Sequence, residues 1–285
     1  PGLINNIKMM HTIARYYSTS ARMTLLFRKI ANRMIDTCRR YIVGGVDATA
    51  PVAAPGGAVA ATSAAATTAA AAAAAALSLW ELPVPQLVAR LRESAALLEQ
   101  YKEHYSLTRD KLLLQPQGKQ FDFSEQAIFG KADLFSRRLE KLIEMFSTVD
   151  QFTNLASHKI EGMEQLIDAF WRVVAEMRAK PYALLDYQLA TFDRDFLEFN
   201  ANIHELEMSL QGFINASFEN ITSTAQALAM LKQFQEILQR ASLKEDLDSK
   251  LMVIFHNYGL DLETVQRLYE KHKAAPPAAR TLPPA

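Results

Sequence analysis

Between Leu189 and Phe213, apolar residues recur at steps of three and four without a break: Leu189, Phe192, Phe196, Phe199, Ile203, Leu206, Leu210 and Phe213. That period places all eight along one stripe of an α-helix, whereas a strand would need alternation at every second residue. A stripe of this kind is stable only against another apolar surface, so the chain must pack helix on helix. Taken from Asp186, whose carboxylate can cap a first turn, to Phe218, the helix would be roughly 50 Å long at 1.5 Å per residue.

The same pattern fills most of the chain. Glycine (10) and proline (11) are sparse in 285 residues, so long helices run uninterrupted. Pro83 and Pro85 open a helix with Leu87, Leu91, Leu98, Tyr101, Tyr105 and Leu112 in register. The stretch from Pro116 to Asp133 reads as a loop, in which Ile128, Phe129 and Gly130 form a hydrophobic anchor and a turn feeding the next helix. That helix carries Phe135, Leu139, Leu142, Phe146 and Val149, and another carries Ile160, Met163, Ile167, Phe170, Val174 and Met177 before Pro181. Beyond a turn at 220–222 comes a helix with Leu228, Leu231, Phe234 and Leu238. Two short ones follow, with Leu247, Leu251 and Ile254, then Leu262, Val265 and Tyr269, separated by Gly259 as a C-terminal cap. No repeat of fixed length emerges. The expected fold is all-α: elongated antiparallel bundles of long, heptad-patterned helices.

Four segments are expected. Residues 1–42 form a basic helix pair, with eight Lys/Arg against Asp36 alone. Ser18, Thr19 and Ser20 offer caps for its second helix, whose stripe is Met23, Phe27, Ile30, Met34 and Tyr41. This head shares the Arg-rich, acid-poor composition of a mitochondrial presequence, but its apolar period continues over both halves, as in a packed pair. Residues 43–82 form a low-complexity Ala/Pro/Gly linker. No charge lies between Asp47 and Glu81, yet alanine is barely apolar and Pro51, Pro55, Gly56 and Gly57 interrupt the first half, so a membrane span is not expected. Only the alanine run Ala69 to Ala76 invites a transient helix. Residues 83–273 form the bundle, with 22 basic and 28 acidic residues. Residues 274–285 are a Pro-rich connector, and with Pro1 at the other end the chain is expected to be part of a longer protein.

The stretch around His204 looks chemically busy but closes no site. His204-Glu205 begins a zinc-protease pattern, and Met208 stands where the second histidine would be. No histidine has a glutamate three residues before it, as a di-iron bundle requires. Asp193, Asp195, Glu198, Glu205 and Glu207 all fall off the phenylalanine row, which places them in water or at flanks that can pair with a neighbouring helix. Gly118-Lys119 and Gly130-Lys131 lack the rest of a phosphate-binding loop. Cys38 is the lone cysteine, which excludes an intrachain disulfide and a multi-cysteine zinc site. Tyr16 and Tyr17 are too few aromatics for a base-stacking platform in the basic head. No catalytic, cofactor-binding or metal residue is expected in this segment, and nucleic acid and membrane are not expected partners. A helix-bundle metalloenzyme remains as a reading of the acidic stretch, to be met by metal analysis.

Five ordered blocks resemble the N-terminal tail of dynein heavy chains. "IARYYSTSARMTLLFRKIANRMIDTCRRYI" is similar to the early tail of axonemal heavy chains. "IFGKADLFSRRLEKL" carries the family-like positions Phe129, Gly130, Phe135, Arg138 and Leu139. "LLDYQLATFDRDFLEF" carries Asp186, Phe192, Asp193, Asp195 and Phe196. "LKQFQEILQR" and "AAPPAARTLPPA" resemble the blocks before the central tail. The early block looks most like a gamma-type outer-arm chain. The linker departs from the family pattern and looks like an insertion.

The resemblance implies a non-catalytic tail segment of a minus-end-directed microtubule motor whose ATPase ring, with ATP and Mg, lies far beyond Ala285. It implies other heavy chains, intermediate and light chains, the docking complex and the doublet microtubule as partners, and the axoneme of a cilium or flagellum as location. Which residues would bind them is not implied. The alternative is a stand-alone helical tether or adaptor with a basic targeting head.

Overall fold

The computed structural model describes residues 1–44, 79–114, 121–219, 224–234 and 241–274. Of the expected linker, 45–78 lie outside the described residues, while 43–44 continue the helix Ser20–Gly44 and 79–82 are described; 275–285 of the Pro-rich end and Leu238 also lie outside. Among the described residues the elements are helices: α1 (Gly2–Ile13), α2 (Ser20–Gly44), α3 (Val84–Leu113), α4 (Glu125–Ser157), α5 (Glu164–Arg178), α6 (Ala190–Glu219), α7 (Thr224–Phe234) and α8 (Ala241–Ala274). The fold is all-α. No helix among the described residues is long and apolar enough to cross a membrane.

The chain divides into two compact units, Pro1–Asp150 with Trp171–Ala201, and Gln151–Phe170 with Asn202–Ala285. In the first, α1 and α2 both pack on α3. Their shared core gathers Ile4, Ile7, Met23, Phe27, Tyr101, Tyr105, Phe121, Phe123, Ile128 and Phe129. The rings of Phe27, Tyr105, Phe121 and Phe123 meet edge to face or tilted at centroid distances of 5.3–6.0 Å, the arrangement the ring quadrupole favours. Tyr105 buries its hydroxyl at no hydrogen-bonding loss: it donates to the Phe123 carbonyl at 3.1 Å and accepts from the Phe123 N–H at 2.9 Å. His11 is buried edge-on between Phe121 and Phe123. Beyond the linker, Leu79 is buried and Trp80 packs on Phe146, with ring centroids 4.8 Å apart.

The second unit is smaller. Phe152 and Phe170 stack with centroids 4.5 Å apart and planes 10° from parallel. The turn between α4 and α5 reverses through Lys159 (φ 47°) and Gly162 (φ 86°). A side chain at Gly162 is disfavoured twice over: the positive φ strains it, and its Cβ would lie 3.2 Å from the Phe213 ring, which would have to give way slightly. Phe213 in turn meets Phe234, and α7 packs on α8.

Four local expectations are corrected. α4 starts at Glu125, so Ile128-Phe129-Gly130 is helix interior rather than a turn; the Ser124 carbonyl accepts the N–H groups of Ala127 and Ile128 and opens the helix there. The buried face of α2 is Met23, Phe27, Ala31, Ile35, Cys38 and Ile42, which shares Met23 and Phe27 with the expected stripe and then runs one residue later; apolar residues stand at both sets of positions, and Ile30 and Met34 are left partly buried at the edge of the core. α8 is one helix of 34 residues that runs through Gly259, a position with open space and no positive φ. Finally, α6 starts at Ala190, not Asp186, which shortens it to 30 residues; the carbonyls just before it are occupied otherwise, as follows.

Candidate functional site

One charged side chain sits in the middle of the first unit. Arg138 is on α4, three residues after Phe135 and four before Leu142, so helical register turns it inward with them. It is 2% exposed. A guanidinium cannot discard its charge at ordinary pH and must find acceptors when buried. Here Nη1 donates to the Leu184 carbonyl at 3.3 Å and Nη2 to the Leu189 carbonyl at 2.9 Å. Nη2 also reaches Asp193 Oδ1 at 3.5 Å, and the guanidinium carbon lies 4.0 Å from the centre of the Phe192 ring. Burial pushes the Arg138 pKa down, and Asp193, then Asp186, oppose that.

The peptide that receives Arg138 is the connection 179–189 between α5 and α6. Its Leu189 carbonyl, which a helix begun at Asp186 would use internally, is taken by Arg138 instead, and the Leu184 carbonyl just upstream is turned to the same guanidinium. Asp186 instead accepts the Gln188 N–H at 3.1 Å and closes a side-chain turn ahead of the helix. From α2, Arg39 donates to the Leu185 carbonyl at 3.2 Å and covers the rings of Phe135 and Tyr187. Two helices, α2 and α4, are thereby tied to one short connection.

Two carboxylates of α6 complete the joint. Asp193 pairs with Lys141 Nζ at 3.0 Å, as a flank that bonds to a neighbouring helix. Asp195 is not solvated: it is 5% exposed, accepts the Tyr182 hydroxyl at 3.0 Å, and has Lys180 Nζ at 3.6 Å. Burial first, and the Asp195 hydrogen bond second, raise the Tyr182 pKa above its ordinary value. Phe192 and Phe196 stack beside these groups with centroids 5.8 Å apart. Glu207 is buried as well, with His204 Nδ1 3.9 Å from its Oε2.

The family-like positions thus fall into two places. Phe135, Arg138, Asp186, Phe192, Asp193, Asp195 and Phe196 belong to the joint, with Leu139 buried next to Arg138. Phe129 lies in the aromatic core against Tyr101 and Tyr105. Gly130 is apart from both, on a helix face with nothing within 4 Å of a Cβ. Sequence reading missed Arg39, Lys141, Tyr182 and the two carbonyls. Arg138 carried a visible signal, a charge in register with Phe135 and Leu142; the carbonyls carried none.

Chemically, the joint binds the chain to itself. Arg138, Asp193 and Asp195 are directed at internal partners, and among the described residues no three His, Cys, Asp or Glu side chains converge as metal ligands. His204 and Met208 are both exposed.

Residues 1–47 and 61–285 match the family described as Dynein heavy chain, N-terminal region 1. The unmatched 48–60 fall inside the low-complexity linker. The whole chain is 43% identical over 285 residues to the dynein gamma chain of the flagellar outer arm of Chlamydomonas reinhardtii, of which it covers 6%. It is 35% identical over 285 residues to mouse dynein axonemal heavy chain 5, again 6% of that protein. It is 33% identical over 284 residues to human dynein axonemal heavy chain 8, with 99% of this chain and 6% of the relative aligned. The matched span covers both units and the positions of the Arg138 joint, and on it the chain belongs to the dynein heavy chain family, within N-terminal region 1.

Proposed function

We propose that this chain is a non-catalytic tail segment of an axonemal dynein heavy chain of outer-arm, gamma-like type. Its parent would be a minus-end-directed, ATP-hydrolysing microtubule motor that drives ciliary or flagellar beating. The segment would act as a stiff scaffold: it would help hold heavy chains together, seat intermediate and light chains, and pass load to the doublet microtubule through the assembled arm. The observation that carries this reading is end-to-end similarity to a flagellar outer-arm gamma chain at 43% identity. The Arg138 joint supports the mechanical part, because a buried cation shared by two carbonyls and a carboxylate holds α4, the 179–189 connection and α6 in one geometry.

Antibodies against the chain should label the axonemes of cilia or flagella and co-sediment there with other heavy chains. Absence from the axoneme overturns the reading. The purified 285-residue chain should not hydrolyse ATP, and turnover at a motor-like rate would overturn its non-catalytic role.

A further inference from the structure

Between α2 and α4 the first unit carries an open groove of about 560 Å³, lined among others by Arg28, Asn32, Gly130, Lys131, Leu134 and Arg137. Its charge is lopsided. Arg28 stands on the α2 wall, Lys131 and Arg137 on the α4 wall, and all three are exposed. None makes an ion pair or hydrogen bond with another described residue. The one carboxylate of the lining, Asp133, is engaged by Lys102 Nζ at 3.1 Å. Asp36, two turns beyond Arg28 on α2, lies outside the lining and pairs with none of the three. Three exposed cations within one concavity set up a positive potential that water and salt screen only in part and that attracts an incoming negative charge.

The groove is also shaped for a polypeptide. Gly130 lies in the interior of α4, where glycine costs about 1 kcal/mol relative to alanine, and none of the described residues occupies the space a Cβ would take. Internal packing therefore does not explain it, whereas close approach of another backbone does. Beside it Leu134 leaves an apolar side chain 49% exposed.

We infer that this groove receives an acidic segment of a partner polypeptide, its Asp or Glu side chains engaging Arg28, Lys131 and Arg137 and its backbone passing over Gly130. Two other occupants fit worse. The linker supplies no charge between Asp47 and Glu81. A second copy docked groove to groove would set like charges against each other.

The test uses the full-length heavy chain isolated in its native assembly and a carbodiimide that condenses lysine amines with adjacent carboxylates, forming an amide as the reagent takes up water. The Lys102–Asp133 pair serves as internal control. Lys131 is expected to link to an Asp or Glu of another polypeptide. Arg28→Glu with Arg137→Glu should reduce that link at least tenfold and leave Lys102–Asp133 unchanged. Gly130→Leu should reduce it similarly without lowering the thermal melt. Partners present with Lys131 unlinked, or linked only within its own chain, overturn this inference alone. So does a partner that is lost on nuclease treatment, or one that Gly130→Leu leaves in place. A chain isolated with no partner polypeptide overturns this inference and the scaffold reading together.

Discussion

The apolar rows of α6 and α8 have one period and opposite fates. On α6, Phe192, Phe196, Phe199, Ile203 and Leu210 are buried. On α8, Leu251, Phe255, Tyr258, Leu262, Val265 and Tyr269 follow the same steps of four and three, yet the last five are 50–63% exposed. The flanks differ accordingly. Those of α6 reach other elements, Asp193 to Lys141 and Asn200 to Glu144. On α8 only the start reaches another helix, with Lys250 over the Phe218 ring, while along the exposed row the flanks turn back on their own helix, Arg267 to the Glu263 carbonyl and Lys273 over Tyr269. A seven-residue period tells which face of a helix must be covered, and carries no information about what covers it.

The comparison breaks most directly at Phe196. Phe196→Asp removes a fully packed ring and puts a carboxylate in its place, for a loss of about 4 kcal/mol or more. The denaturant midpoint of the 285-residue chain should fall well below that of the unchanged chain. A midpoint that stays put would mean the α6 row is not a core.

Next is Arg138→Met, which keeps volume and removes the cation. It strands two carbonyls and unbalances Asp193, and should cost about 3 kcal/mol. Because Asp193 is half exposed, most of that loss belongs to the carbonyls rather than the ion pair. Arg138→Lys should recover little of it, since one ammonium cannot fork to Leu184 and Leu189 together. Full recovery by lysine would reduce the joint to a simple charge effect.

These two residues also mark how far the sequence could be read. Phe196 was legible because the period marks the face of the helix that needs cover, and on α6 that cover lies within the same chain. Asp195 was not: it lies one position from the row, where a flank and a buried site differ by the approach of Tyr182 and Lys180, both from a connection that has no period. The start of α6 was misplaced for the same reason, since Arg138, 51 residues upstream, takes the Leu189 carbonyl that a helix begun at Asp186 would have used. Helix existence is local and was readable; helix ends, and the partners of charged flanks, depend on elements distant in the chain.

Gly162 gives a smaller, sharper effect in the second unit. Gly162→Ala keeps the sequence nearly unchanged but forces a β-carbon into a left-handed backbone and against Phe213, for about 1–2 kcal/mol. Thermal denaturation should register a lower Tm. A neutral or raised Tm would show that the turn relaxes to negative φ and that Phe213 has room to move.

The least effect is expected where the comparison is most pointed. Phe255→Asp makes on α8 the same exchange that Phe196→Asp makes on α6, at a side chain 59% exposed. Phenylalanine and aspartate have similar helix propensities, and little area leaves water at this position, so the isolated chain should lose no more than about 0.5 kcal/mol. Matched denaturant curves for the two variants read the difference directly, because both introduce one carboxylate on one apolar row. If Phe255→Asp approaches Phe196→Asp in cost, the α8 row is covered within this chain and the contrast between the two helices disappears. If the cost stays small, the row is a finished face awaiting a surface the described residues do not supply.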